Sequence, residues 1–274
     1  MTSRVAVIRD ALFSPNSERN DKAILQEVAE RMGIDVLVSE KELIFEKSRQ
    51  EFASTTLFLS MGRMPETLQW LAQREKEGAV VLNSPMGVAR CARSVWHAVM
   101  REHHWPIPPE RGDKGHWVKR GDMAAQHADD VVFVPKNESV DEWVSRFHNR
   151  GVKEVSVMAH VPGDVVKFYG VLDTGFFRYF YPTDDGITKF EHEKVNGPAN
   201  HFRFNVEGLK TVAEQLARTL DVKIYGGDCI VDEKGRFFLI DFNDWPSFSR
   251  CRTDAAEAIA RLATMCLQKR QNQV

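Results

Sequence analysis

Residues 225–249, YGGDCIVDEKGRFFLIDFNDWPSFS, constrain this chain more than any other stretch. Residues 229–231 and 237–240 read as two short apolar strands, and 232–235 as the turn between them, with a glycine at its end. If Asp232 faces Gly235, then Asp228 faces Leu239. Side chains alternate along a strand, so Leu239, Asp241 and Asn243 share a face. Asp228 lies on that face too, diagonal to Asp241 and roughly 7–8 Å from it. An odd-numbered loop or a bulge would break this register.

Two carboxylates and an amide oxygen, without histidine or cysteine, suit a hard cation. Mg²⁺ takes oxygen ligands and usually keeps phosphate and water in its shell. Singly, Asp and Asn are common at strand ends because they favour turns. Together, on one face after an apolar run, Asp228, Asp241 and Asn243 read as a metal site.

On these residues the chain resembles the ATP-grasp superfamily. Its last strand typically carries an acidic residue, a spacer and Asn, followed by Pro. Residues 240–246, IDFNDWP, match that pattern, and Gly227-Asp228 matches the acidic strand before it. The resemblance implies that Asp228, Asp241 and Asn243 bind the Mg²⁺ ions that clamp the phosphates of ATP. Many ATP-grasp ligases carry Glu where this chain has Asp241. The Asp-x-Asn form is more similar to the inositol-phosphate kinase branch.

The 274 residues suffice for one large domain or two to three small ones. A formal charge of −2 excludes a generally basic nucleic-acid binder. MTSRVAVIRD enters a strand-like run without a signal-peptide core. No window approaches the roughly 18 apolar residues of a membrane span. The four cysteines, 91, 229, 251 and 266, are scattered, with neither metal-ligand spacing nor a dense disulfide framework. The expectation is a cytoplasmic protein with a small-molecule partner, no nucleic acid and no membrane.

Strand-like runs at 4–8, 34–38, 56–60 and 79–82 alternate with helical patterns, one ending at Gly33 and one opening at Pro65. That alternation implies a parallel sheet with helices packed on it. The first unit, residues 1–84, lacks G-x-G-x-x-G, so a dinucleotide site is not supported. It resembles the small α/β domain that often precedes an ATP-grasp core. Residues 85–274 then form the core, in lobes of about 106–160 and 161–274. The fold class is α/β, with an α+β core. A helix from about 87 to 103 carries Val88, Cys91, Val95 and Val99 on one stripe, together with Arg90, Arg93 and Arg101.

Further residues take roles from the resemblance. Lys119 ends the strand 115–119 and is the implied phosphate-binding lysine. The lid that follows it, 120–131, is glycine-poor, with only Gly121, and His127 is a candidate to act there. The adenine ring is implied to lie at the crossing between the lobes, against backbone groups of Val157, Met158, Ala159 and His160. Glu154 or Asp164 is the implied ribose contact, with no choice between them. Lys167 interrupts the apolar strand 165–172, so it must face solvent or a ligand. It is implied to meet phosphate or acceptor as a catalytic residue. In the polar stretch 182–205, with Lys189, Glu191, His192, Lys194 and His201, Arg203 is the candidate for a two-bond grip on a phosphoryl group or carboxylate. Ser247, Ser249 and Arg250 lie where an acceptor would sit.

The expected activity is Mg-ATP-dependent phosphoryl transfer, as a carboxylate–amine or carboxylate–thiol ligase acting through an acylphosphate. The alternatives are a small-molecule kinase and a non-catalytic nucleotide-binding protein.

Overall fold

The computed structural model describes residues 3–13, 17–123, 125, 127–185 and 193–272. In chain order its strands and helices are β1 (Arg4–Ile8), α1 (Glu18–Met32), β2 (Leu37–Ser39), α2 (Glu40–Leu43), α3 (Glu46–Glu51), β3 (Leu57–Ser60), α4 (Pro65–Lys76), β4 (Val80–Leu82), α5 (Pro85–Arg90) and α6 (Arg93–Glu102). There follow β5 (His116–Arg120), β6 (Val131–Val134), α7 (Val140–Asn149), β7 (Val155–Ala159), β8 (Asp164–Val171), β9 (Phe176–Phe180), α8 (Glu193–Asn196), α9 (Val206–Leu220), β10 (Ile224–Val231), β11 (Phe237–Asp244) and α10 (Arg252–Gln271).

Three sheets result. The first is parallel, in the order β2-β1-β3-β4. The second is a small antiparallel sheet, β6-β5-β7, and the third a larger antiparallel one, β11-β10-β8-β9. The first sheet buries both faces, with Ala6, Leu57 and Leu59 on one side and Val5, Val7 and Phe58 on the other. Val118, Val134, Phe147 and Val152 pack α7 onto the small sheet. Trp96 and Met100 of α6 and Leu209, Leu216 and Leu220 of α9 cover one face of the large sheet, against Phe168, Tyr225, Cys229, Leu239 and Phe242. A third cluster joins α1 to α10 and takes in Tyr169, Trp245 and Phe248. The C-terminal helix therefore closes the first sheet. Among the described residues no helix is long and apolar enough to cross a membrane.

Local chemistry explains most boundaries. Gly33 ends α1 in the left-handed region at φ 61°, a conformation that costs glycine little. Pro65 opens α4, where its missing N–H is no loss. Ser139 caps α7. Two expectations need correction. The second strand is shorter than 34–38, covering only Leu37–Ser39. The single helix over 87–103 is two helices, broken at Cys91 and Ala92. After the break the buried stripe is Trp96, His97 and Met100, while Val95 is 38% exposed. The break restarts the helix at Arg93, which aims that side chain at β11.

The first sheet is bolted to the base of the β10–β11 hairpin. Asn83, 1% exposed, uses its side chain as a strand would: Oδ1 accepts from the N–H of Lys223 at 2.9 Å and of Ile224 at 2.8 Å, and Nδ2 donates to the Ile224 carbonyl at 2.7 Å. Trp245 returns the tie, with Nε1 donating to the Leu82 carbonyl at 3.0 Å. Asn83→Ala strands the N–H groups of Lys223 and Ile224, while the Ile224 carbonyl keeps the Trp245 N–H, and is expected to cost about 2–4 kcal/mol. Chemical denaturation checks this, with faster amide exchange at Lys223 and Ile224.

Candidate active site at the bulged hairpin

The hairpin differs from its expected pairing in two ways. Asp232 N–H donates to the Arg236 carbonyl, so the loop holds three residues rather than two. A bulge then falls between Asp228 and Cys229: Cys229 pairs with Leu239 but Asp228 with Asp241, leaving Ile240 without a partner. Each change slips the register by one. Two slips restore the parity, so Asp228 and Asp241 do share a face, directly opposite rather than diagonal. Leu239 does not share it. The bulge turns Leu239 into the core with Phe242, while Asp241 and Asn243 face the cleft. Gly227 permits the close approach, since a Cβ there would stand 2.2 Å from the Asp241 carbonyl oxygen.

On the other side of Asp228, β8 places Lys167. Lys167, Asp228 and Asp241 thus form one row across three strands. Lys167 Nζ donates to Asp228 Oδ1 at 2.6 Å. Asn243 Nδ2 donates to Asp241 Oδ2 at 2.7 Å, and Arg93 Nη2 to Asp241 Oδ1 at 2.8 Å. The carbonyl of Ile240, which the bulge takes out of the ladder, accepts from Arg93 Nη1 at 2.9 Å and from Lys119 Nζ at 3.3 Å. Lys119 arrives from the small sheet, so this carbonyl joins the small antiparallel sheet to the large one.

The electrostatics follow from this crowding. Burial alone would raise the Asp241 carboxyl, but Arg93, Lys119, Asn243 and Lys167 outweigh it and hold it at about 2. Burial lowers Lys119 and Arg93 lowers it further, to about 7, against the pull of Asp241 and Asp228. Burial also works against Lys167, yet Asp228 keeps it above the ordinary lysine range. Behind Lys119, Ser156 Oγ bonds His97 Nδ1 at 2.9 Å, and burial followed by Arg93 and Lys119 keeps that imidazole neutral, at about 2.

Trp117, Lys119, Ser156 and Met158 line the cleft face of the small sheet, since directly paired residues share a face. Val157 turns the other way, into the α7 cluster. The N–H groups of Ala159 and His160 are already committed, to the carbonyls of Pro109 at 2.7 Å and Gly115 at 2.9 Å. The His160 ring accepts from Trp117 Nε1 at 3.2 Å. At the crossing, then, the structure does not offer two open amide donors.

Other expected residues lie elsewhere. Arg203 is exposed, with its carbonyl against Gly235 at the hairpin turn. That is four ladder steps, roughly 13 Å, from the carboxylates. Asp164 is 2% exposed and accepts from the backbone N–H of Asn200 at 2.7 Å and Phe202 at 2.8 Å, so it anchors the 197–205 loop rather than facing a ribose. Glu154 precedes β7, at the far end of the strand from the crossing. Gly121 gives its N–H to the Glu154 carbonyl at 2.7 Å and takes the Ser94 N–H at 3.1 Å, leaving no amide for a phosphate. His127 is exposed, and its N–H bonds Asp130. Arg250 donates to the carbonyls of Tyr181 and Pro182. Lys189, Glu191 and His192, and the side chain of Lys194, lie outside the described residues. Sequence reasoning undervalued Arg93, one of three arginines on an expected amphipathic helix. Arg90 is exposed and Arg101 pairs with Glu110.

Among the described residues no three His, Cys, Asp or Glu side chains gather as a metal cage. The set to judge is two opposed carboxylates plus an amide. Its all-oxygen chemistry fits a hard cation that keeps other ligands of its own.

No protein-family model matches the sequence, and no curated protein does. Solved structures match over nearly the whole chain. D-alanyl-alanine synthetase A from Vibrio cholerae O1 biovar eltor superposes with a TM-score of 0.66 at 11% identity, covering 97% of this chain and 99% of that one. The D-alanine–D-alanine ligase of Bacillus anthracis complexed with ATP gives 0.61 at 10%, covering 100% of both. The ATP-grasp ligase PsnB, complexed with a phosphomimetic variant of its minimal precursor, Mg and ADP, gives 0.55 at 12%, covering 97% and 99%. This chain has the ATP-grasp fold.

Lys119 makes stability depend on pH. Its folded value lies near 7, below the ordinary 10.5, so the unfolded chain binds more protons between those limits. Stability from this group therefore rises with pH from about 7 to about 10, by up to about 1.4 kcal/mol per unit. The slope is expected to vanish in Lys119→Met, as read from urea unfolding at stepped pH.

Proposed function

We propose that this chain is a Mg-ATP-dependent ligase that joins a small-molecule carboxylate to an amine or thiol through an acylphosphate. One observation carries the reading. Lys167, Asp228 and Asp241 stand in a row beside Lys119 and Arg93, so that three cationic side chains from three elements meet at one carbonyl and two carboxylates. The similar structures are described as ligases or a synthetase, one with ATP and one with Mg and ADP.

Asp228, Asp241 and Asn243 would hold Mg²⁺. When bound, Mg²⁺ neutralises phosphate charge and helps align the transferred group. The chain's own groups do the rest. Lys119, Arg93 and Lys167 supply positive charge to phosphate oxygens as negative charge spreads in the transition state. Trp117, half-buried on the same sheet face as Lys119, forms an apolar wall for adenine. The acceptor carboxylate forms a bond to the γ-phosphorus as the bond to ADP breaks. The amine or thiol then attacks the acyl carbon, losing a proton as phosphate leaves.

A small-molecule kinase is the second reading, supported by Asp241 at the position where many ligases carry Glu and by the single glycine, Gly121, across 120–131. In it a hydroxyl attacks and keeps the phosphoryl group. Products separate the two. ADP release with an amide or thioester is the expected outcome of a screen of acids with amines and thiols. ADP with a phosphorylated alcohol and no amide rejects the ligase. Nucleotide binding in calorimetry without any turnover rejects both.

Asp241→Ala is expected to lower Mg-ATP turnover by on the order of 10²–10³-fold or more, with an unchanged circular dichroism spectrum. Full activity in that variant overturns the metal assignment.

A further inference from the structure

The carboxylates assigned to the metal are already held by cations of the chain. Arg93 takes one oxygen of Asp241 while Asn243 takes the other, and Lys167 takes one oxygen of Asp228. A divalent ion and a guanidinium compete for the same oxygens. Two cations packed together repel, by several RT at an effective dielectric suited to a protein surface. An ion can coordinate Asp241 only as Arg93 withdraws. Arg93 in turn withdraws only toward another anion, because its side chain is 13% exposed and water does not bathe it.

Arg93 also carries an unspent donor. Its Nε is buried and has no hydrogen-bond partner among the described residues, while both terminal nitrogens are used. A buried orphan N–H is costly and points to an acceptor supplied from outside. An arginine fork at the first residue of a helix, beside a lysine on the facing sheet, meets a phosphate oxygen well.

We propose that Arg93 and Lys167 stand in for the divalent ion on Asp241 and Asp228, so that the ion enters with a polyphosphate nucleotide and is resisted without one. This rests on the site reading given above. The phosphates draw the two basic groups off the carboxylates, and the freed oxygens take the ion. Linkage makes the coupling mutual: the ion strengthens the nucleotide by the same factor. Arg93 also meets phosphate in that reading, so its test here reads metal binding rather than turnover.

Mn²⁺ binding followed by electron paramagnetic resonance, with and without a non-hydrolysable ATP analogue, tests this. The wild-type chain is expected to bind Mn²⁺ at least about tenfold more weakly without the analogue than with it. Arg93→Ala is expected to raise Mn²⁺ affinity in the absence of nucleotide by about tenfold, and to narrow that difference. Arg93→Lys, which keeps a cation, should retain the wild-type pattern. Lys167→Met gives an independent route through Asp228, with the same direction of change, should Arg93→Ala fail to fold. Unchanged or weaker Mn²⁺ binding in Arg93→Ala or, if that variant does not fold, in Lys167→Met overturns the stand-in role but leaves the metal site standing, provided the wild type binds Mn²⁺ with the analogue. No Mn²⁺ binding to the wild type even with the analogue removes the metal reading itself, and this proposal with it.

Discussion

Asp228 and Asp241 face each other directly on neighbouring strands, and like charges so placed repel. The rest of the site answers that repulsion. Lys167 sits in the same row on the next strand, Asn243 turns its amide nitrogen to Asp241, and Arg93 closes on it from the helix beside the edge strand. The bulge at Ile240 makes the confrontation possible and also supplies part of its relief. By ejecting one carbonyl from the ladder, it gives Arg93 and Lys119 a shared acceptor where the small antiparallel sheet meets the large one.

A site of this charge density needs a firm base, and the first sheet provides it. Asn83 pairs with the start of β10 as if it were a strand. Arg63 donates to Asp244 Oδ1 at 2.6 Å, one residue beyond Asn243, and Arg9 donates to the carbonyl of Trp245. Trp245 and Phe248 hold φ values of 36° and 48°, a region that bulky residues avoid. Both rings are fully buried, and their packing offsets that local cost. The chain after the hairpin is thus fixed by side chains distant in sequence.

Several residues whose chemistry suits a ligand are spent on the fold instead. Asp164 binds two loop amides, Gly121 ties the small sheet to α6, and the N–H groups of Ala159 and His160 are taken by carbonyls. Each is a strong donor or acceptor in a buried or half-buried place, where an unmatched polar group is costly. The chain satisfies those groups from whatever lies nearest in space. Charge and position in the order of elements therefore nominate a residue for a ligand without deciding whether it is free to bind one.

The sequence by itself determined most of the strands and the longer helices. Helical spacing, Gly33, Pro65 and Ser139 act within a few residues, so their effects are local and readable. Asp241 and Asn243 share a face because strand alternation is local too, whereas Asp228 joins them only because two slips of register cancel. Only the tertiary structure decided that Arg93, and not Arg90 or Arg101, reaches Asp241, that Arg203 stays at the turn, and that Leu239 faces away from the carboxylates. Those outcomes depend on a bulge, a helix break and long-range packing, where one residue of slip changes what a side chain meets. No local pattern carries that information, because the partners lie up to about 150 residues apart along the chain.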